Sequence, residues 1–347
     1  MKKVSLFISL ALTTYMLKAQ FNPSKDPFMT KSLAGQTIKN IEVQTSGGSI
    51  EVTGQASGNN RIDVYVRPNN SNDNSTYSKE ELQKRLDEYY DLTVKVENNK
   101  LTAIAKQKKN NMDWKKSVSV SFKIYTASNV STDLSTSGGS ISLSNLTGAQ
   151  EFTTSGGSLL VEKLSGKIKG HTSGGSIHLD GCKDDLDLTT SGGSIEAKNC
   201  NGKIKLETSG GSLTLSGLNG QITATTSGGG IHGNDIDGAL NTSTSGGSIH
   251  LQGLDCSLDA STSGGSIDVQ MNTLKDFVKL SNSGGNITLT VPNKAMDLRL
   301  SGGKIKTDKL NNFSGSIEED EIKGKLNGGG VPVTVDAGSG RVSLVLK

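Results

Sequence analysis

His232, His250 and Asp268 stand 18 residues apart. Two imidazoles and a carboxylate are ligand types that bind zinc or copper. If 18 residues make one structural repeat, the three share an outward column with rungs ~4.8 Å apart. That column is at most a candidate divalent-metal site, and an ordinary surface ladder is the expected reading, since a straight column is a poor tetrahedral cage. His178 and Glu196 form a weaker pair on the same column. Asp184, Asp185 and Asp187 are the densest acidic cluster. A carbohydrate-active enzyme needs paired carboxylates on one face. Here Asp185 and Asp187 flank an apolar Leu186, which turns them toward solvent if the segment is a strand. Lys106, Lys108, Lys109, Lys115 and Lys116 surround Trp114, the single tryptophan. A basic loop with an aromatic suits anionic glycan or lipid headgroups, and a solvated hairpin connection is the alternative. Cys182 and Cys200 are also 18 apart, placed to pair across adjacent coils in an oxidising compartment or to act as small apolar fillers. Cys256 makes the count odd, and three cysteines are too few for a disulfide scaffold.

The elements that position these residues follow from a repeated string, TSGGSI. SGG triplets begin at Ser137, Ser155, Ser173, Ser191, Ser209, Ser227, Ser245 and Ser263, each 18 residues after the last. Looser copies start at Ser283 and Ser301, and an early one at Ser46. A fixed period of this size marks a solenoid, whose repeats bury apolar faces against their neighbours. Counting the Ser of SGG as position 1, position 5 is always Ile or Leu in the regular run, from Ile141 to Ile267. Position 7 is mostly Leu, Val or Ala, and the spacing of two puts both on one side of a strand. Position 10 is Leu, Ile or Cys, as in Leu146, Cys182, Cys200 and Ile236. Positions 14 and 16 form a second inward pair, as in Leu186 and Leu188. Each coil therefore reads as two short strands with a corner near position 10 and glycine-bearing turns, often at position 12. A left-handed β-helix would need an apolar residue every six, yet positions 11 and 17 hold residues such as Lys183 and His171. The expected fold is all-β: a right-handed, single-stranded parallel β-helix, with the usual hand of parallel crossovers. The identical threonines from Thr136 to Thr262 should stack as a hydroxyl ladder. Only 4% of residues are aromatic, too few for a thick core but enough for a narrow solenoid interior.

Residues 1–19 read as a secretory signal peptide: Lys2 and Lys3, an apolar run from Val4 to Leu12, and Ala19 before Gln20. The run is shorter than the ~20 residues of a membrane span, so no span is expected after cleavage. Removing the leader takes the formal charge from +3 to zero, which gives no electrostatic case for nucleic acid. Residues 20–130 read as an N-terminal cap with the first coil or coils. Ser78 and Glu81 form a capping box that opens one short helix to about Tyr90. Strands are expected at Arg61 to Val66, Asp91 to Val96, Leu101 to Ala105 and Val118 to Tyr125. Residues 131–347 read as the repeat domain, in which LNGGGVPVTV and AGSGRVSLVL supply the last coils. The final strand lies one residue from the terminus, an arrangement expected to leave no room for a sorting domain or membrane barrel.

The TSGGSI units, the stretch SVSVSFKIYTASNVSTDLSTSGGSI and the tail NGGGVPVTVDAGSGRVSLVL resemble the putative-adhesin domain-of-unknown-function family of bacterial envelope β-helices. That family usually carries an acid after SG, where this chain mostly has Gly. The MKK…AQ leader is similar to those of Bacteroidetes. The resemblance implies an exported envelope protein of the periplasm, outer-membrane surface or exterior, and supplies no catalytic residues. The expected function is a non-enzymatic structural or interaction module, adhesin-like, with an envelope protein or glycan as partner and no cofactor. The alternative is a polysaccharide-active or polysaccharide-binding β-helix.

Overall fold

The computed structural model describes residues 25–56, 58–69, 77–108 and 116–347. The 1–19 leader and Trp114, with Lys109 and Lys115 beside it, lie outside the described residues. The repeat is a parallel β-solenoid with an 18-residue register: Leu159 pairs with Ile177, and Ser165 with Lys183. In one coil the strand Leu159–Glu162 fills positions 5 to 8 and Ser165–Thr172 fills positions 11 to 18. Side chains at positions 5, 7, 10, 14, 16 and 18 point inward, as Leu159, Val161, Leu164, Ile168 and Thr172 show by their burial. Where position 16 is Gly170, the space is taken by the Phe152 ring of the coil before: a Cβ there would lie 2.4 Å from Phe152 Cε2.

Two corners of the coil have different chemistry. From the Ser137 coil to the Ser245 coil position 9 is left-handed: Asn145, Lys163, Gly181, Asn199, Gly217, Asp235 and Gly253 have φ between 52° and 66°. Asn, Asp and Gly are the residues that adopt this conformation at least cost, which explains their prevalence there. At TSGG the requirement is close approach. A Cβ on the second glycine, Gly193, would sit 2.0 Å from the Gly175 carbonyl oxygen one coil away. The first glycine, Gly192, has no heavy atom nearer than 3.5 Å to such a Cβ.

That close approach is fastened by the buried threonine ladder. Thr190 Oγ1 donates to Gly175 O at 2.8 Å and accepts from Gly193 N–H at 3.3 Å. The same pair of bonds recurs at Thr154, Thr172, Thr208, Thr226 and Thr244. Each hydroxyl thus satisfies one donor and one acceptor that would otherwise be buried unpaired. Where the spacing stretches to Ser283, Asn282 takes over: its Nδ2 donates to Gly265 O at 2.7 Å and its Oδ1 accepts from Gly284 and Gly285 N–H.

The ends depart from chain order. At the N-terminal end the Ser46 coil, Asn40–Thr45 and Ile50–Gly54, is sandwiched. The repeat strands Ser131–Thr136 and Ile141–Ser144 lie on one side of it. The later strands Lys100–Gln107 and Val118–Thr126 lie on the other. Antiparallel strands Arg61–Pro68 and Tyr90–Glu97 then close that outer coil. The helix Lys79–Tyr89 opens with the expected capping box, Ser78 Oγ accepting from Glu81 N–H and Glu81 Oε2 from Ser78 N–H. Its Leu82, Leu86 and Tyr89 are buried beside the closing strands and Val118–Thr126.

The C-terminal end repeats the device and corrects one expectation. Val331–Asp336 and Arg341–Leu346 are last in sequence but not in space. They slot between Val278–Asn282 with Ile287–Val291 and the outermost coil of Met296–Ser301 with Lys304–Thr307. Antiparallel Glu321–Leu326, in a hairpin with Phe313–Ile317, terminates the stack on Met296–Ser301. The physical reason is that an outermost parallel strand exposes a row of unpaired backbone groups. An antiparallel strand covers that row and is itself hard to extend by another coil. No helix among the described residues is long and apolar enough to cross a membrane.

Candidate functional site

Positions 6 and 8 lie on the short strand of each coil and face out, because positions 5 and 7 face in. In three successive coils these strands stack in register, bringing His232 beside His250 and His250 beside Asp268. Asn234 stands beside Gln252 at position 8, and Gln270 follows in the next coil. Underneath, Ile231, Ile249, Leu251, Ile267 and Val269 are buried and hold the strands to the core. Gly233, where most coils carry a larger side chain, admits Leu251: a Cβ there would come within 2.7 Å of Leu251 Cδ2. The coil of His232 is also the one whose TSGGS string becomes TSGGG. A Cβ on Gly230 would lie 3.6 Å from His232 Nε2, so the glycine leaves room beside the ring.

The result is an open hollow of about 300 Å³ lined by His232, Gly233, Asn234, His250, Leu251, Gln252, Asp268 and Gln270. The two imidazoles are stacked, with centroids 5.5 Å apart and planes 11° from parallel. Asn234 is tied to the wall, its Nδ2 donating to Ser216 Oγ at 3.1 Å and to Asp235 Oδ2 at 2.9 Å. The side chains of His232, His250, Gln252, Asp268 and Gln270 have no hydrogen-bond partner among the described residues. The other histidines differ: His171 Nδ1 meets Thr189 Oγ1 at 2.8 Å, and His178 Nδ1 meets Glu196 Oε2 at 3.1 Å. Glu196 is also paired with Lys198. Lys198 first, and then His178, hold its carboxyl below the usual range by hydrogen bonding to its charged form.

The expected metal column is thus a real column, with His232, His250 and Asp268 on consecutive rungs. Parallel stacking points the ring nitrogens alongside one another rather than at a common centre. Among the described residues no group of three or more His, Cys, Asp and Glu side chains is placed to hold a metal ion. The amide row of Asn234, Gln252 and Gln270 was missed by sequence reasoning, although its 18-residue spacing carries the same signal as the histidines.

The remaining candidates are spread over other faces. Asp185 is exposed and Asp187 half-buried, on either side of buried Leu186. Asp184 serves the adjoining turn. With φ +81° it stands where other coils have a positive-φ glycine, and its Oδ2 accepts from Gly166 N–H at 2.9 Å. Cys182, Cys200 and Cys256 are free thiols, all buried. Cys182 and Cys200 occupy the interior position that Leu fills elsewhere. Burial pushes the Cys256 thiol up to about 12.

Residues 238–345 match the family model described as Toastrack DUF4097. That part of the chain is similar to the Toastrack family. The Toastrack match spans nearly all of the tail Asn327–Leu346, on which the family resemblance was read, and includes His250, Gln252, Asp268 and Gln270. No curated protein matches the chain. Two solved structures are similar in outline. One is a putative cell adhesion protein from Clostridium sporogenes ATCC 15579, with 11% identity, 92% of this chain and 98% of that chain covered, and a TM-score of 0.20. The other is a putative adhesin from Bacteroides fragilis NCTC 9343, with 13% identity, 94% and 99% covered, and a TM-score of 0.24. At such scores neither likeness says anything about ligand or site in this chain.

Proposed function

We propose that this chain is a non-enzymatic, exported interaction module of the bacterial envelope, adhesin-like in use, that binds a hydroxyl-rich glycan along its polar ladder. The observation that carries this reading is the hollow at His232, His250, Gln252, Asp268 and Gln270, whose polar side chains have no internal partner. Amide and imidazole groups both donate and accept, which is what sugar hydroxyls require. The hollow spans three coils, so more than one sugar of a ligand can lie along it. Asp268 is the single carboxylate in the lining. Glycoside hydrolysis by the usual routes uses two, so binding without cleavage is the better fit. Export rests on the leader, and adhesion on the family resemblance.

A panel of neutral oligosaccharides tests the reading, scored for both binding and product release. Binding without products, weakened in His250→Ala and Gln252→Ala chains of unchanged melting temperature, is expected. Product release that Asp268→Asn abolishes would make the protein an enzyme instead. Binding unchanged in both alanine variants would remove the hollow from the function. Sequencing the N-terminus of the native protein should find Gln20 first.

A further inference from the structure

A second surface, on the C-terminal cap, departs from the charge pattern of the rest of the rod. Along the repeat, several outer-face cations sit within reach of an acid on an adjacent coil, and Lys167 and Lys203, though not ion-paired, flank Asp185 in register. Lys169 is 3.8 Å from Glu151, Lys205 3.9 Å from Asp187, and Lys279 3.0 Å from Asp259. On the cap two cations face each other directly instead. Arg299 and Lys323 are direct cross-strand partners in the antiparallel pair of Met296–Ser301 with Glu321–Leu326. Lys325 is two residues from Lys323 and so on the same face, about 7 Å along the strand. All three are exposed, and none is in an ion pair among the described residues. Asp297 stands directly opposite Lys325 and Glu321 lies two residues before Lys323, and neither comes within ion-pair distance of these cations. Like charges directly opposite across a strand pair are destabilising, so an anion bound here would relieve a repulsion already present.

The three cations border a hollow of about 370 Å³ whose remaining lining includes Asp297, Leu298, Pro332 and Thr334. Pro332 and the lysine stems give it an apolar floor. A guanidinium presents a planar fork that matches a carboxylate, and the flanking ammoniums add charge without geometric demand. A ring carrying a carboxylate on one side and C–H groups on its face matches that combination. We propose that the cap hollow at Arg299, Lys323 and Lys325 binds the uronate of an acidic polysaccharide. A hollow of this size admits a single sugar ring and offers no flat face to a bilayer. Three cations in one hollow are also too few to track a nucleic-acid backbone. The site is separate from the His250 hollow and does not depend on it.

The test uses the full chain, with a galacturonate oligomer of about six sugars as probe and a neutral glucose oligomer of equal length as control. Binding of the uronate probe only, weakened by added salt, is expected. Arg299→Gln and Lys323→Gln should each cost about tenfold or more in affinity, the scale of one lost charge-assisted hydrogen bond. Both side chains are exposed and removing either charge relieves the repulsion between them, so the melting temperatures should equal or exceed the parent's. His250→Ala should bind the uronate probe normally, which separates this proposal from the neutral-glycan reading. Equal affinity for the neutral oligomer, or undiminished uronate binding in the Arg299→Gln and Lys323→Gln chains, would overturn it. So would binding of inorganic phosphate or of anionic vesicles with none of the uronate.

Discussion

Replacing either glycine of one TSGG string by alanine adds the same methyl group to the same turn, yet the two sites should respond in opposite ways. At Gly193 the new Cβ would lie 2.0 Å from Gly175 O, 2.4 Å from Gly175 C and 2.7 Å from Ser176 N. All three are backbone atoms, so no side chain can swing aside, and the two coils must part. Overpacking of a fixed interior costs about 1–3 kcal/mol. Parting the coils also stretches the bond from Thr190 Oγ1 to Gly175 O, now 2.8 Å. Leaving such a buried pair unsatisfied costs about 1–3 kcal/mol more. The sum, about 2–6 kcal/mol, corresponds to a fall in melting temperature of roughly 5–20 °C for a large domain. At Gly192 the nearest atom would be Ser173 O at 3.5 Å, an ordinary contact, and its φ is not left-handed. Gly192→Ala should therefore be neutral, or gain about 0.4–1 kcal/mol by restricting the unfolded chain. Thermal melts of the two variants, followed by circular dichroism in the β region, give the comparison. Equal melting temperatures would refute the claim that the second glycine is required by coil-to-coil approach.

The other predictions concern the corners, the charge ladder and the histidine column. Lys163 is a non-glycine at a left-handed corner, φ 52°, where neighbouring coils have Gly181 and Asn145. Lys163→Gly should raise stability by about 0.5–1 kcal/mol, the left-handed penalty less the glycine entropy, and a lower melting temperature would count against strain there. Glu196 has a folded carboxyl below its ordinary 4.5, through Lys198 and then His178. Its contribution is therefore fully present above pH 4.5 and lost as pH falls through the lower folded value. Melting temperatures in Glu196→Gln should lack that part of the acid slope, and an unchanged slope would show that the pair contributes nothing. A zinc ion taken by His232 and His250 requires a ring to turn out of the stack. Its signature would be a zinc-dependent rise in melting temperature, about 2.7 kcal/mol at a hundred times the dissociation constant, absent in His250→Ala. No rise would remove metal from the column.

The repeat was legible because the 18-residue period and the two-residue alternation of strands are both written in residue types. Ile195, Ala197 and Cys200 fall inside on that count alone, and they do. The left-handed corner was not singled out, because Asn145, Lys163 and Gly181 look unalike until their backbone is compared. The order of the end coils was not legible at all. Leu101 and Phe122 carry no TSGG mark, and nothing local tells a strand which coil it will stack upon. That choice is made by exposed sheet edges competing for cover. At the site, shared spacing identified His232, His250 and Asp268. The absence of internal partners, which turns a column into a binding surface, is a property of neighbours in space.

The interleaved coils at the two ends change how the molecule answers to tension. In a solenoid whose tails leave from its outermost coils, a pull on either tail peels one strand at a time, breaking bonds in succession. Here Arg341–Leu346 is bonded along both edges, to Ile287–Val291 and to Lys304–Thr307. Asn40–Thr45 is held in the same way between Lys100–Gln107 and Ser131–Thr136. A force drawn along either strand must shear two ladders at once, with the bonds of each ladder sharing the strain together. A rod built in this manner should yield late and abruptly.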